Sequence, residues 1–403
     1  MKILLCADEA PIEPTASGFR RAVAGLVHEL ERHHDVRVLA FRKPDQVGSP
    51  VPSNVRVVEW PTSGPVSKMR LLAAAVIEGR PLRTAELPAL LAEPLREELE
   101  GFAPDVVQVT PARLARLRAS LGDRPTVLMA MDAWHLNVRA KIDVAGRMRG
   151  AFLRSEERRI RRAGSTAYRG YDRVVVSSRD DGEAIRALDP TLSFSVIPIG
   201  VDAGAWPAEE PSSQMPARIV FHGVMSYPPN VVAAEYLVGR VLPLVRAERP
   251  EATVALVGRD PAPAVLRLAE LPGVEVTGAV SEIGPWLRGS RVWAGPFVSA
   301  TGIKTKVLEA MACSLPCVVT PLGTRGLELE PGAEVLVGSD PPELARHLLA
   351  LLDDPDLAAR IGRAARARVL RSYDWPAVRG AYERVYEDIL GRRVDAGSAV
   401  ADG

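Results

Sequence analysis

VSATGIKTKVLEAMACSLPCVV, residues Val298 to Val319, is the stretch on which the reading of this 403-residue chain turns. Ser299 and Thr301 are helix-capping residue types standing just before Gly302. An apolar set at helical spacing follows: Val307, Leu308, Met311 and Ala312 fall on one face, and Gly302, Lys306, Glu309 and Cys313 on the other. The helix is predicted to stop at Pro316, and CVVT (317–320) reads as a short buried strand. A loop, a helix N-terminus, two lysines and a carboxylate are thereby gathered in one α/β unit. Exposed N–H groups and the positive end of a helix suit an anion. Lys304 and Lys306 add mobile charge of the kind a diphosphate needs. Glu309, one turn further in, is placed to accept hydrogen bonds from ribose hydroxyls. The plain alternative is a surface helix with an i,i+3 Lys306–Glu309 ion pair.

Outward from this stretch the chain alternates short apolar runs with helical patterns. KILLC (2–6), VRVLAF (36–41), VRVV (55–58), DVVQVT (105–110), TVLMAM (126–131), RVVVS (173–177) and FSVI (194–197) are predicted strands of a first half. Gly18–His33 carries Phe19, Ala22, Val23, Leu26, Val27 and Leu30 at helical spacing. After a proline-bearing linker, Asp202–Pro216, the alternation begins again with RIVFHG (218–223), ATVALVG (252–258), VEVTG (274–278), RVWAG (291–295), CVVT and EVLV (334–337). Helices are predicted over Pro341–Leu352, Asp356–Ser372 and Trp375–Leu390. Such alternation argues for two doubly wound parallel sheets of α/β class. The predicted domains are 1–202 and 203–374, then a helix over 375–392 and a disordered tail over 393–403.

Composition narrows the class. A chain of 403 residues exceeds one ordinary core, so two domains of roughly 200 residues are expected. Hydrophobic residues at 47% and charged residues at 25% are globular values that speak against disorder and a membrane class. A net charge of +1 gives no general reason to expect nucleic acid. Cys6, Cys313 and Cys317 lie in apolar segments without metal-ligand spacing and read as reduced core residues of a cytoplasmic protein. Asp8 and Glu9 end the first apolar run too early for a signal peptide, and no stretch approaches the roughly 20 apolar residues of a spanning helix.

RIVFHGVMSYPPN (218–230), VALVGRDP (254–261), VEVTGAVSEIGPWL (274–287), GIKTKVLEAMACSLPCVVT (302–320) and RVLRSYDW (368–375), in this order and spacing, resemble the GT-B glycosyltransferases of retaining family 4, the glycosyltransferase group 1 family. TASGFRR (15–21) and PIGVD (198–202) are weaker matches. Within the family, a subset with a Gly-x-Lys-x-Lys pattern and an aromatic-Pro-x-Asn segment, here Tyr227–Asn230, is most similar. The resemblance implies two Rossmann-like domains facing across a cleft and a nucleotide-sugar donor on the C-terminal one. It also implies an acceptor on the N-terminal domain, no obligatory metal or cofactor, and a last helix bracing the first domain. It implies donor contacts from Gly18, Gly223, Thr301, Gly302, Ile303, Lys304, Thr305, Lys306 and Glu309. Glu309 matches the family's ribose-binding glutamate. The partner glutamate eight positions earlier is replaced by Thr301, and the family's diphosphate-binding arginine and lysine by Val224 and Pro229. Lys304 and Lys306 are the natural replacements, since a diphosphate in a partly dry site needs compensating charge.

In the first domain, Gly18 permits close backbone approach after strand one, while Arg20 and Arg21 read as phosphate contacts or as a solvated face. Asp132 and His135 follow TVLMAM directly. Asp132 matches the family position near the reacting carbon, so Asp132, His135 and Lys304 are the catalytic candidates. As alternatives, Asp132 caps the next helix and His135 is a partly exposed loop residue. His222 reads equally as a packed core histidine. Arg147–Arg173, with nine arginines, is a solvated ion-paired helix or a basic helix on an anionic membrane surface. Together these readings describe a cytoplasmic transferase, peripheral to the inner face of the membrane in the second case. It moves a hexose-type unit from a UDP- or GDP-linked sugar to a glycan, lipid-linked or small-molecule hydroxyl, with no nucleic-acid partner. Retention rests on the resemblance alone. Envelope or exopolysaccharide assembly and natural-product glycosylation are the settings considered. A nucleotide-sugar epimerase and a catalytically silent GT-B binding module are the competing readings, and the missing glutamate, arginine and lysine speak for the latter.

Overall fold

The structure, a computed structural model, describes residues 1–13, 18–61, 69, 81, 86–142, 146–209, 214–298 and 302–401, with backbone alone at 140, 165 and 393–401. Thr15 and Ser17 of TASGFRR, and Ser299 and Thr301, lie outside the described residues. The chain divides into two compact units, Met1–Pro198 with Val378–Gly403, and Ile199–Ala377.

In the first unit, β1 (Lys2–Ala7), β2 (Asp35–Arg42), β3 (Val55–Glu59), β4 (Val106–Thr110), β5 (Thr126–Met131), β6 (Arg173–Val176) and β7 (Phe194–Val196) form one sheet in the order β3-β2-β1-β4-β5-β6-β7. Every neighbouring pair is parallel. The central strands are buried on both faces, which is why they read as continuous apolar runs instead of alternating ones. α1 (Gly18–Glu31) buries Ala22, Val23, Leu26, Val27 and Leu30 of the predicted stripe, whereas Phe19 is only half-buried. α2 (Leu87–Gly101) buries Leu87, Leu91, Leu95 and Leu99, a ridge repeating every four residues. α3 (Trp134–Ile142), α4 (Arg147–Ala167) and α5 (Arg179–Arg186) follow.

In the second unit, β8 (Arg218–His222), β9 (Thr253–Val257), β10 (Val274–Gly278), β11 (Val292–Gly295), β12 (Cys317–Val319) and β13 (Leu336–Val337) are ordered β10-β9-β8-β11-β12-β13, again all parallel. Its helices are α6 (Pro228–Tyr236), α7 (Leu242–Glu248), α8 (Pro263–Leu268), α9 (Gly284–Arg288), α10 (Thr305–Ala312), α11 (Pro321–Thr324), α12 (Pro341–Asp353) and α13 (Pro355–Ser372). Asp340 and Asp354 cap α12 and α13, each accepting a backbone N–H at 2.9 Å, and each is followed by proline, which needs no N–H partner there.

α10 departs from the sequence reading at both ends. It begins at Thr305 with Lys304 in the cap position, so Gly302, at φ +70°, lies outside the helix and not on its face. It ends at Ala312, short of Pro316, because Ser314 turns left-handed at φ +60° and the Leu315 N–H closes back on the Ala310 carbonyl at 3.2 Å. Val307, Leu308, Ala310 and Met311 are fully buried. Burying Leu308 and Met311 contributes about 1.5–3 kcal/mol each, and Leu308→Ala would cost about 2–5 kcal/mol. α13 crosses the far end of α10. A methyl group on Gly362 would stand 2.0 Å from the Ser314 carbonyl oxygen. The Arg366 guanidinium donates to the Ala312 carbonyl, and to that of Trp206 at 3.0 Å.

α14 (Trp375–Ala401) continues past Arg392, where the sequence reading ends the helix. Its residues from Val378 onward belong to the first unit. Tyr386 donates to Gln108 at 2.5 Å, and Glu383 and Asp388 meet His34 and Arg173 at 2.9 and 2.5 Å. Among the described residues, no helix is long and apolar enough to cross a membrane.

Candidate functional site

Strand order reverses between β8 and β11, and in a doubly wound sheet the crevice for a ligand opens at the carboxyl ends of the strands flanking that reversal. β8 ends at His222, and Gly223 follows with its N–H on the Val257 carbonyl at 2.9 Å. The loop after β9 presses on the same spot. A Cβ on Gly258, at φ +147°, would lie 1.8 Å from the Gly223 carbonyl oxygen, so only glycine fits. A Cβ on Gly223 would stand 2.7 Å from the Lys306 ammonium and 2.8 Å from the Asn230 amide nitrogen. This corner has backbone on one side and a cation on the other.

α10 brings its polar residues to this corner. Lys306 donates to Asn230 Oδ1 at 2.6 Å, and its ammonium faces the rings of Phe221 and Phe297 at 5.5 and 5.8 Å. Asn230, in the first turn of α6, in turn donates to the Val224 carbonyl at 2.8 Å. Lys304 is 7% exposed and donates to the Gly302 carbonyl. Burial draws its pKa down to about 8, and the nearby Arg325 acts in the same direction. Glu309 meets His222 Nε2 at 2.7 Å, and His222 Nδ1 accepts the Trp293 indole N–H at 2.9 Å. Thr305 opens α10, and Ile303 packs on the core of the unit. The corner thus has backbone donors of a helix start, the Lys306 ammonium and one oriented carboxylate, and Lys304 stands at the cap of the same helix, a set that can hold a diphosphate with a polyol attached.

In the first unit the reversal lies between β1 and β4. Asp132 follows β5. Burial raises its carboxyl above the usual range, Asn137 hydrogen-bonds to it, and Asp181 and Arg113 act on it from nearby. The Ala133 N–H at the start of α3 goes to Asp181 at 2.8 Å. His135, in the first turn of α3, is buried and not a loop residue, and burial with Arg161 close by lowers its pKa. Gly18 is the first residue of α1, with open space where a side chain would start. Arg20 fits neither sequence reading: it is buried and ion-paired with Glu9 at 2.8 Å and Asp45 at 2.6 Å. Asp8, fully buried at the end of β1, lies against the Arg113 guanidinium; burial outweighs that cation and lifts its carboxyl to about 6. Sequence reading took Asp8 only as the end of an apolar run. Its signal was there, since an acidic residue directly after a central strand falls at the crevice. Trp134, Ile160, Tyr168 and Ala112 line an apolar recess beside Arg113. No group of three or more His, Cys, Asp or Glu that could hold a metal ion occurs among the described residues.

Two sheets of this kind define a GT-B fold. The structure is similar to sucrose-phosphate synthase from Thermosynechococcus elongatus over 97% of this chain and 100% of that one, with a TM-score of 0.69 at 17% identity. It is also similar to Anabaena HepE in complex with UDP and glucose over 95% of this chain and 98% of the other, with a TM-score of 0.61 at 16% identity. Residues 16–204 match Glycosyltransferase Family 4 and residues 216–354 match Glycosyl transferases group 1, so the chain carries both of these domains. A GDP-mannose-dependent monoacylated alpha-(1-6)-phosphatidylinositol monomannoside mannosyltransferase of Corynebacterium glutamicum is 26% identical over 204 residues, 45% of this chain. The match spans about half, 53%, of that relative's length.

Proposed function

We propose that this chain is a glycosyltransferase that moves a hexose-type unit from a UDP- or GDP-linked sugar to a hydroxyl with retention of configuration. The observation that carries the reading is the meeting of Gly223, Lys306 and Glu309 at the carboxyl end of β8, with Lys304 at the cap of the same helix. A buried ammonium whose pKa is drawn down is stabilised by an arriving anion. Lys306 supports the same role. Its Nζ lies against Gly223, beside Val224, where the family carries an arginine. Lys306 on the helix and Lys304 at its cap thus supply the charge that Val224 and Pro229 lack, and Glu309 takes the ribose hydroxyls.

In the proposed step the acceptor oxygen bonds to the anomeric carbon on the face from which the diphosphate departs. The carbon–oxygen bond to the diphosphate breaks, and the acceptor proton passes to the departing phosphate. Lys304 and Lys306 balance the charge that develops there, and Asp132 with His135 orients the acceptor. The name of the Corynebacterium relative contains GDP-mannose and the Anabaena complex holds UDP and glucose, which leaves the base open. The recess beside Arg113 supports an acceptor with an apolar part, in envelope or natural-product glycosylation. Met148 and Phe152, 90% and 44% exposed among the arginines of α4, support peripheral contact with an anionic membrane surface.

A thermal-shift series tests the donor site: UDP or GDP is expected to raise the melting temperature and NAD is not. A protein that neither nucleotide stabilises at millimolar concentration refutes it. Turnover of a sugar nucleotide without acceptor would favour an epimerase. Nucleotide binding without transfer to any of a broad acceptor panel would favour the silent module.

A further inference from the structure

His222 has no part in that step, yet it is 1% exposed and both of its ring nitrogens are engaged. We infer that His222 is a positioning residue for Glu309, fixed by Trp293 as one neutral tautomer, and that this buried relay sets how firmly the protein grips the ribose of its nucleotide. The inference rests on the donor-site reading of Glu309.

The direction of the relay follows from chemistry alone. An indole nitrogen can only donate, so His222 Nδ1, 2.9 Å from Trp293 Nε1, must be the unprotonated, accepting nitrogen. The ring hydrogen is then on Nε2, which donates to Glu309 Oε2 at 2.7 Å. Trp293 is fully buried in β11 and leans on Phe221 and Phe297, with ring centroids 5.9 and 6.3 Å apart, so the first member of the relay is held by packing. The His222 and Trp293 rings meet edge-on at 68°, with centroids 6.0 Å apart. Glu309 has three side-chain torsions, and a bond to a ring that cannot swing restrains them before any ligand arrives. If His222 only filled the core, phenylalanine would serve as well, and its two nitrogens would have no reason to point at a fixed donor and a carboxylate.

The test measures binding of UDP and GDP, their 2′-deoxy counterparts and inorganic pyrophosphate to the full chain. Wild type is expected to prefer ribonucleotide over deoxynucleotide. His222→Phe is expected to weaken ribonucleotide binding about tenfold, to shrink that preference, and to leave pyrophosphate binding unchanged. His222→Gln, whose amide can still donate to Glu309, is expected to recover most of the loss. Nitrogen NMR of wild type is expected to show an unprotonated Nδ1 and a protonated Nε2, an asymmetry that Trp293→Phe relaxes. Ribose preference retained in a folded His222→Phe protein, or a protonated Nδ1 in wild type, overturns the relay. Should His222→Phe not fold, His222→Gln and the NMR spectrum decide it. Wild type binding no nucleoside diphosphate would instead sink the donor-site reading, while the NMR result still reports on the relay.

Discussion

Lys304 is expected to make nucleotide affinity fall with pH in a window set by its burial. In the ligand-free protein its pKa is drawn from 10.5 to about 8, first by loss of solvation and then by Arg325. A diphosphate favours the charged form, so binding above that value includes taking up a proton. Apparent affinity is then divided by one plus ten to the power of pH minus 8, a loss of about tenfold at pH 9 and about a hundredfold at pH 10. Stability moves the other way. Between roughly pH 8 and 10.5 the unfolded chain holds more protons at this lysine than the folded one. The ligand-free protein therefore gains stability as pH rises through that window, and the burial cost is fully present below it. Lys304→Arg keeps its charge throughout and is expected to bind with a flat profile. Lys304→Met is expected to bind weakly at every pH and to show no stability gain. Calorimetric titration with UDP or GDP in buffers of different ionisation enthalpy reads both affinity and proton uptake. A wild-type affinity that is flat to about pH 10, with no uptake near pH 9, would refute the placement of Lys304 on the diphosphate.

Three further outcomes are expected. Gly258→Ala forces a methyl group to 1.8 Å from the Gly223 carbonyl at φ +147°; it should cost about 2–5 kcal/mol by urea unfolding and abolish nucleotide binding. A midpoint shift worth less than about 0.5 kcal/mol would show that the two loops are not locked. Burial disfavours the Asp132 carboxylate in the folded state, so its contribution is most favourable below its ordinary pKa of 3.8 and is lost as pH rises through the raised value. Asp132→Asn should therefore be more stable at pH 7 while losing about a hundredfold or more in transfer rate, and unchanged turnover would return Asp132 to a structural role. Thr301→Glu restores the glutamate pair of the family, and kcat/KM is expected to change little; transfer that begins only in this variant would make the natural chain a binding module.

Most of the fold was legible because buried parallel strands announce themselves. TVLMAM was predicted over 126–131 and β5 occupies Thr126–Met131; VEVTG and β10 also coincide. Such runs are continuous, rich in β-branched or aliphatic residues, and bounded by breakers. Helix ends were less legible. The start of α10 depends on the left-handed turn at Gly302, and its stop on Ser314, whose residue type gives no warning of positive φ. Lys304, Lys306 and Glu309 could be singled out because they fall within seven residues of a recognisable pattern. Their partners could not. Trp293 pairs with Val220 in the β8–β11 ladder, and Val220 and His222 share a face, so the indole reaches the imidazole diagonally. That register follows from the strand order. The setting of Arg20 is hidden for the same reason, because Asp45 lies after β2 and only the sheet brings it close.

The hold of α13 on α10 has a mechanical consequence. α10 is a rod of eight residues, about 12 Å long, clamped at its heel by the bare backbone of Gly362 and the Arg366 guanidinium. Its toe carries Lys304 and Lys306. A lever of that length tilted by about 10° at the heel moves the toe by about 2 Å, and a displacement half as large at a reacting group can lower rate a hundredfold. If the lysines hold the donor as proposed, position 362, which touches no proposed ligand group, helps to aim them. Damage there would read as a defect in chemistry although no residue named at the site had been changed.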